Sequence, residues 1–238
     1  MKTNYLNKFN ELNLPNKLTV IRLFLSVPLF IFSLLAFLMN ILANKYIPNS
    51  NDLYRGWINN PYKIALVVFL LFILIIFIVA MITDFFDGKI AREKNLVSDF
   101  GKLWDPIADK MITTISLLLL LGLKAIPLFV VIIFLARDLV VAGCRTVLAK
   151  NNVSVEANIN GKIKTVLMSV GIVIMFIFLI TYNIKTTSFF DPLTFKTPLI
   201  ETNYETFIYC LSIPLMIAAI FNVISGYQYI SAAIKFMK

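Results

Sequence analysis

The run from Ile64 to Ile82, 19 residues without one polar side chain, constrains this chain more than any other feature. A helix rises 1.5 Å per residue, so about 20 apolar residues cross the hydrocarbon core of a bilayer. Lipid offers no partner to unpaired backbone amides and carbonyls, so such a run must cross as a helix.

Other segments repeat the pattern. Leu23–Leu42 (with Pro28 and Asn40), Val166–Tyr182 and Phe207–Ile224, extending to about Ala233, each read as a span. Ile126–Leu148 is long enough but carries Arg137, Asp138 and Arg145. Met111–Leu123 is long enough only if its helix starts near Asp105. The expectation is an all-α integral membrane protein with six transmembrane helices, forming a single domain over residues 1–238. In the N-terminal juxtamembrane segment 1–22, Leu6, Phe9, Leu12 and Leu14 lie among polar residues at the spacing of a short interfacial helix. The first span is too long, and lacks the small-residue site, for a cleaved signal peptide.

Composition and charge narrow the function. Apolar residues make up 59% and charged residues 15%, against about half and about a quarter in a soluble domain. A soluble globule and a disordered chain are therefore excluded. The net charge is +9. Of the 22 Lys and Arg, 15 fall in segments 1–22, 83–110, 145–164 and the C-terminus. The positive-inside rule then puts both termini and the 83–110 loop on the cytosolic side of a multi-pass plasma-membrane protein. Basic residues form no long runs, which favours anionic lipids and phosphates over nucleic acid as partners. The chain has no His, so acid–base and metal chemistry falls to carboxylates. Cys144 and Cys210 sit in apolar runs and read as small buried thiols, with no zinc or disulfide pattern.

Carboxylates concentrate in one place. Asp84 and Asp87 close the second span, and Asp105 and Asp109 open the third. Each pair lies on one helical face, and a short connection makes the two helices antiparallel neighbours. Four converging carboxylates repel unless cations neutralise them. Oxygen donors without His or Cys select Mg²⁺, Mn²⁺ or Ca²⁺, and four of them could hold two ions around a phosphoryl group. The blander alternatives are that Asp105 merely caps a helix opened by Pro106, and that Asp84 and Asp87 mark a span meeting water.

The pattern Asp84-x2-Asp87-Gly88-x2-Ala91-Arg92-x8-Gly101-x3-Asp105-x3-Asp109 resembles the signature of the CDP-alcohol phosphotransferases. That resemblance implies a six-helix enzyme that moves a phosphatidyl or similar group from a CDP-linked donor to an alcohol, releasing CMP. It implies Asp84, Asp87, Asp105 and Asp109 as ligands of two Mg²⁺ or Mn²⁺ ions, with Asp109 also the catalytic base. It implies donor contacts from Asn16, Thr19, Gly88, Arg92 and Gly101, and a homodimer. Capping by Asn16 and Thr19, and a packing role for Gly101, remain alternatives.

Further segments are similar to the branch of that family whose acceptor is glycerol 3-phosphate. These are Leu14–Arg22, Ala136–Val141 with Arg145, Gly161–Thr165, and Tyr229–Ala233. The resemblance departs at Asp138, where Glu is usual, and at Met168, near the place of a frequent Gln. The expected donor is CDP-diacylglycerol, the acceptor sn-glycerol 3-phosphate and the setting membrane lipid. Serine, inositol phosphate or phosphatidylglycerol are the rival acceptors, and a cation transporter is the rival class. Arg137, Arg145, Lys162 and Lys164 are candidate ligands of the acceptor phosphate, since Arg grips phosphate by a two-pronged contact. Pairing of Arg137 with Asp138, and simple flanking charge for the others, are the alternatives.

Overall fold

The computed structural model describes residues 13–45, 60–93, 99–150, 159–186, 208 and 210–235. Its six principal helices are α1 Leu14–Lys45, α2 Pro61–Glu93, α3 Asp99–Gly122, α4 Leu128–Lys150, α5 Ile159–Thr186 and α6 Ile213–Ile234. Four carry a stretch long and apolar enough to cross a membrane: Asn16–Lys45, Pro61–Phe86, Ile163–Ile184 and Ile213–Ile234. In α3 and α4 the charged side chains dilute the apolar run. Asp105, Asp109 and Lys110 do so in α3, and Arg137, Asp138 and Arg145 in α4.

Helix bounds refine the expected spans. The segment Met111–Leu123 belongs to a helix that starts at Asp99, well before the Asp105 that its length required. The last span reaches Ile234, as the extension to Ala233 anticipated. Leu14 opens α1, so Leu14–Arg22 is continuous with the first span; Leu6, Phe9 and Leu12 lie outside the described residues. Cys144 is half-buried and Cys210 exposed, so the expected burial of both thiols does not hold. Helical cysteines in apolar runs can as readily face lipid as protein.

The described residues form two compact units, 1–119 and 120–238. In the first, α1 and α2 pair as an antiparallel hairpin. Leu29, Ala36, Leu70, Ile73 and Phe77 are fully buried there. Phe32 of α1 stacks on Phe69 and Phe72 of α2, with centroids 6.0 and 5.4 Å apart. Asn60 is the N-cap of α2. Its Oδ1 accepts from the Tyr62 amide at 3.0 Å, and Pro61 follows where a missing amide does no harm. Asn60 Nδ2 donates to the Ala43 carbonyl at 3.2 Å, tying the start of α2 to the end of α1.

In the second unit, α6 packs on both α4 and α5. Leaving α3, the chain turns through Lys124, whose φ is 58°. The Ala125 amide reaches back to the Leu120 carbonyl at 2.8 Å and the Lys124 amide to Leu121 at 2.9 Å. This is a Schellman cap, with Lys where Gly is usual. Several hydroxyls inside the helices bond to the turn before them, for example Ser116 to the Ile112 carbonyl at 2.9 Å and Ser169 to that of Thr165 at 2.9 Å.

Gly171 on α5 sets the approach of α6. A Cβ added there would lie 2.7 Å from Leu215 Cγ, and Leu215 is fully buried. Helix propensity favours Ala over Gly by about 1 kcal/mol, but overpacking a closed core costs about 1–3 kcal/mol. Gly171→Ala is therefore expected to lower the thermal midpoint of the detergent-solubilised protein. A raised midpoint would show that α5 and α6 can part without loss.

Candidate functional site

In the unit of residues 1–119, three helices meet at Arg22. It stands on α1, three residues beyond Thr19, so both project from one face. Its Nη1 pairs with Asp84 Oδ1 on α2, and its Nη2 lies 3.5 Å from Asp105 Oδ1 on α3. Thr19 donates its hydroxyl to the same Asp105 oxygen. Arg22 is 1% exposed, whereas the Asp84 and Asp105 side chains are 37% and 44% exposed. The guanidinium is thus a buried base on which two half-open carboxylates stand.

Helix bounds remove one of the bland alternatives. Asp105 lies inside α3, not at its N-cap, and Pro106 follows as an internal proline. Asp84 lies inside α2, which continues to Glu93, but the apolar stretch of that helix ends at Phe86, as it would if Asp84 and Asp87 marked a span meeting water. Thr19 stands inside α1, five residues past Leu14, and is buried with its hydroxyl on Asp105. Asn16, in the first turn of α1, is buried. Asp109 follows Asp105 by one turn of α3, and its carbonyl accepts from the Thr113 hydroxyl at 3.0 Å. Asp87, Gly88 and Arg92 belong to α2 and Gly101 to α3, but their side chains lie outside the described residues.

Two hard oxygen donors of the kind a divalent cation takes are described. Asp84 and Asp105 are carboxylates from different helices, turned to one point, and each keeps more than a third of its side chain open. Among the described residues no group of three or more acidic or sulfur side chains is spaced for a metal ion. Asp84, Asp105 and Asp109 are all described and do not form such a group; the side chain of Asp87, the fourth of the quartet, lies outside the described residues.

In the unit of residues 120–238, a second charged group joins α4, α5 and α6. Arg137 Nη1 lies 3.1 Å from Asp138 Oδ1, and Lys164 Nζ lies 2.9 Å from the same oxygen. Arg137 Nη2 donates to Ser225 Oγ at 2.7 Å. Arg145 Nη2 donates to the Tyr229 hydroxyl at 3.3 Å. Both guanidinium groups face the Tyr229 ring, 5.7 Å from its centroid for Arg137 and 5.3 Å for Arg145. Lys162 opens α5, and its side chain lies outside the described residues. Pairing of Arg137 with Asp138 is real, yet it leaves the group cationic. Arg137 and Lys164 share the carboxylate of Asp138, and Arg145 adds a third positive charge on the Tyr229 side. Arg137 Nε is buried with no hydrogen-bond partner among the described residues. A buried donor without a partner is costly, and an anion bound beside it would remove that cost.

Sequence reasoning overlooked Arg22, Ser225 and the contact role of Tyr229. Arg22 had a signal: a lone cation at the head of an apolar run, on the face of Thr19. Ser225 and Tyr229 had a weaker one, two polar groups four apart in the last span.

Comparison with known proteins agrees with this geometry. The family model described as CDP-alcohol phosphatidyltransferase matches residues 12–237. The CDP-diacylglycerol–glycerol-3-phosphate 3-phosphatidyltransferase of Bacillus subtilis is 32% identical over 157 residues, 66% of this chain and 70% of that protein. The proteins of that name from Mycoplasma pneumoniae and Mycoplasma genitalium are also similar. The first is 34% identical over 175 residues, 74% of this chain and 72% of that protein. The second is 38% identical over 159 residues, 66% of this chain and 62% of that protein. One family model thus spans both units with their charged groups, and the chain belongs to the CDP-alcohol phosphatidyltransferase family.

Proposed function

We propose that this protein transfers a phosphatidyl group from CDP-diacylglycerol to sn-glycerol 3-phosphate, giving phosphatidylglycerophosphate and CMP. The observation that carries the acceptor is the surplus of positive charge around Asp138, with Lys164 buried, Arg137 largely so and Arg145 at the exposed side, which suits a phosphomonoester and not a neutral alcohol. Relatives bearing that enzyme's name support the same choice.

Asp84, Asp87, Asp105 and Asp109 would hold two Mg²⁺ or Mn²⁺ ions. When bound, such ions supply positive charge to the donor's pyrophosphate as its bond to CMP breaks. Arg22 fixes Asp84 and Asp105 and Thr19 fixes Asp105, so two ligands are held before substrate arrives. Asn16, Gly88, Arg92 and Gly101 bind the CDP moiety, Gly88 by admitting it close to the backbone. Asp109 takes the proton from the acceptor's hydroxyl. The hydroxyl oxygen then bonds to the phosphorus nearer the lipid, and the bond from that phosphorus to CMP breaks. Arg137, Arg145, Lys162 and Lys164 hold the acceptor's phosphate.

The same reading extends to the setting. All six helices cross, with the charged residues of α3 and α4 facing protein, because a lone charge toward hydrocarbon is expensive. Residues before Leu14 form an interfacial helix, and the excess of Lys and Arg puts both termini and the reaction on the cytosolic side of the plasma membrane. The two units act as one catalytic domain among membrane lipids, as the single family match supports. The chain works as a homodimer, on the family resemblance alone.

Purified protein given CDP-diacylglycerol, Mg²⁺ and one acceptor at a time should release CMP with glycerol 3-phosphate. Equal release with serine, inositol phosphate or phosphatidylglycerol would overturn the acceptor assignment. Chelation should stop turnover, and Mg²⁺ or Mn²⁺ should restore it. Asp109→Asn should lower kcat by about 10²–10⁴-fold, the usual worth of a positioned base, while the protein stays folded. Arg22→Gln removes the shared partner of two carboxylates. A fully buried pair loses about 3–5 kcal/mol when one member goes, and the partial exposure of both acids reduces this to about 1–3 kcal/mol. Thermal unfolding and CMP release should both fall; unchanged turnover would remove Arg22 from the donor site.

A further inference from the structure

We infer that Tyr229 is a positioning residue that holds Arg137 and Arg145 together as one phosphate-gripping unit, and so sets affinity for the acceptor. The inference rests on the acceptor assignment above and extends it to a helix that carries no cation of the group.

Arg137 and Arg145 are eight residues apart on α4, roughly 12 Å along the axis at 1.5 Å per residue. Two guanidinium groups on one face repel, and with flexible stems each would turn toward water separately. Tyr229 opposes this in two ways. Its ring faces both cations, at 5.7 and 5.3 Å, so the negative face of one π-system attracts two like charges. Its hydroxyl accepts from Arg145 Nη2 at 3.3 Å. The ring is itself fixed, because Tyr229 is 5% exposed on the face of α6 that packs on α4.

The rest of α6 completes the hold on Arg137. Ser225, one turn before Tyr229, accepts from Nη2 at 2.7 Å. Gly226 lets the stem pass, since a Cβ there would lie 3.0 Å from Arg137 Cγ. Asp138 fixes Nη1 at 3.1 Å. After these contacts Arg137 Nε still has no partner among the described residues. The arginine is therefore oriented by α6 and Asp138 while one buried donor remains for a ligand. A bound phosphomonoester dianion meets two guanidinium groups already gathered, so less ordering entropy is lost on binding.

The test is steady-state CMP release by the full-length protein, varying glycerol 3-phosphate and CDP-diacylglycerol in turn, for Tyr229→Phe, Tyr229→Leu and Arg137→Gln. Tyr229→Phe keeps the ring and should raise the KM for glycerol 3-phosphate by only about two- to fivefold, the worth of one hydrogen bond. Tyr229→Leu removes both cation contacts and should raise it by about tenfold to a hundredfold. In both, the KM for CDP-diacylglycerol and kcat should stay near their starting values. A merely structural Tyr229 would lower kcat and affect both substrates together, and that result overturns the inference. An unchanged glycerol 3-phosphate KM in Tyr229→Phe also overturns it, and this holds even if Tyr229→Leu fails to fold. Arg137→Gln separates the two levels of the argument. If it leaves the glycerol 3-phosphate KM untouched, the acceptor assignment fails; if it raises that KM and the Tyr229 variants do not, only the positioning role fails.

Discussion

A guanidinium shut away from water must be answered by negative charge. Arg22, 1% exposed, is answered by Asp84 from α2 and Asp105 from α3. Removing one partner of such a group strands the rest, which is why buried pairs are far more costly to break than to replace whole. Coulomb attraction thus ties three helices together at one point in the unit of residues 1–119, beside the apolar packing of α1 on α2. The same interaction does chemical work, because it aims two carboxylates whose other surfaces remain open.

The second unit repeats the logic with the signs reversed. Among the described residues there, Asp138 is outnumbered by Arg137, Lys164 and Arg145, and an aromatic ring and a hydroxyl from α6 make up part of the difference. One unit offers oxygen donors suited to cations and the other offers cations suited to oxyanions. A reaction between a nucleotide-activated lipid and a phosphorylated alcohol calls for both.

How far the sequence revealed this depends on the range of the interaction. The helices were legible because lipid leaves the backbone one solution, and the run Ile64–Ile82 admits no other. Asp84 and Asp105, which meet at one guanidinium, were legible as candidates because spacing within each helix fixes which side chains share a face. Arg22 was not, since nothing local says that it will meet Asp84, 62 positions away, and not simply flank a span. Tyr229 was hidden for the same reason: its partners on α4 are 84 or more positions distant, and a tyrosine in an apolar run ordinarily reads as packing. The start of α3 was misjudged for a different reason. Pro106 looks like a first-turn residue, but the helix runs through it from Asp99 and forgoes one backbone bond.

Gly226 shows what such an arrangement does to the freedom of a sequence to drift. A Cβ at that position would lie 3.0 Å from the stem of Arg137, whose head is moored at Ser225 and Asp138. Even alanine at 226 therefore asks that stem to give by a few tenths of an ångström. The tolerance of position 226 for change is set by how far Arg137 can yield, whereas a shorter residue at 137 leaves 226 unconstrained.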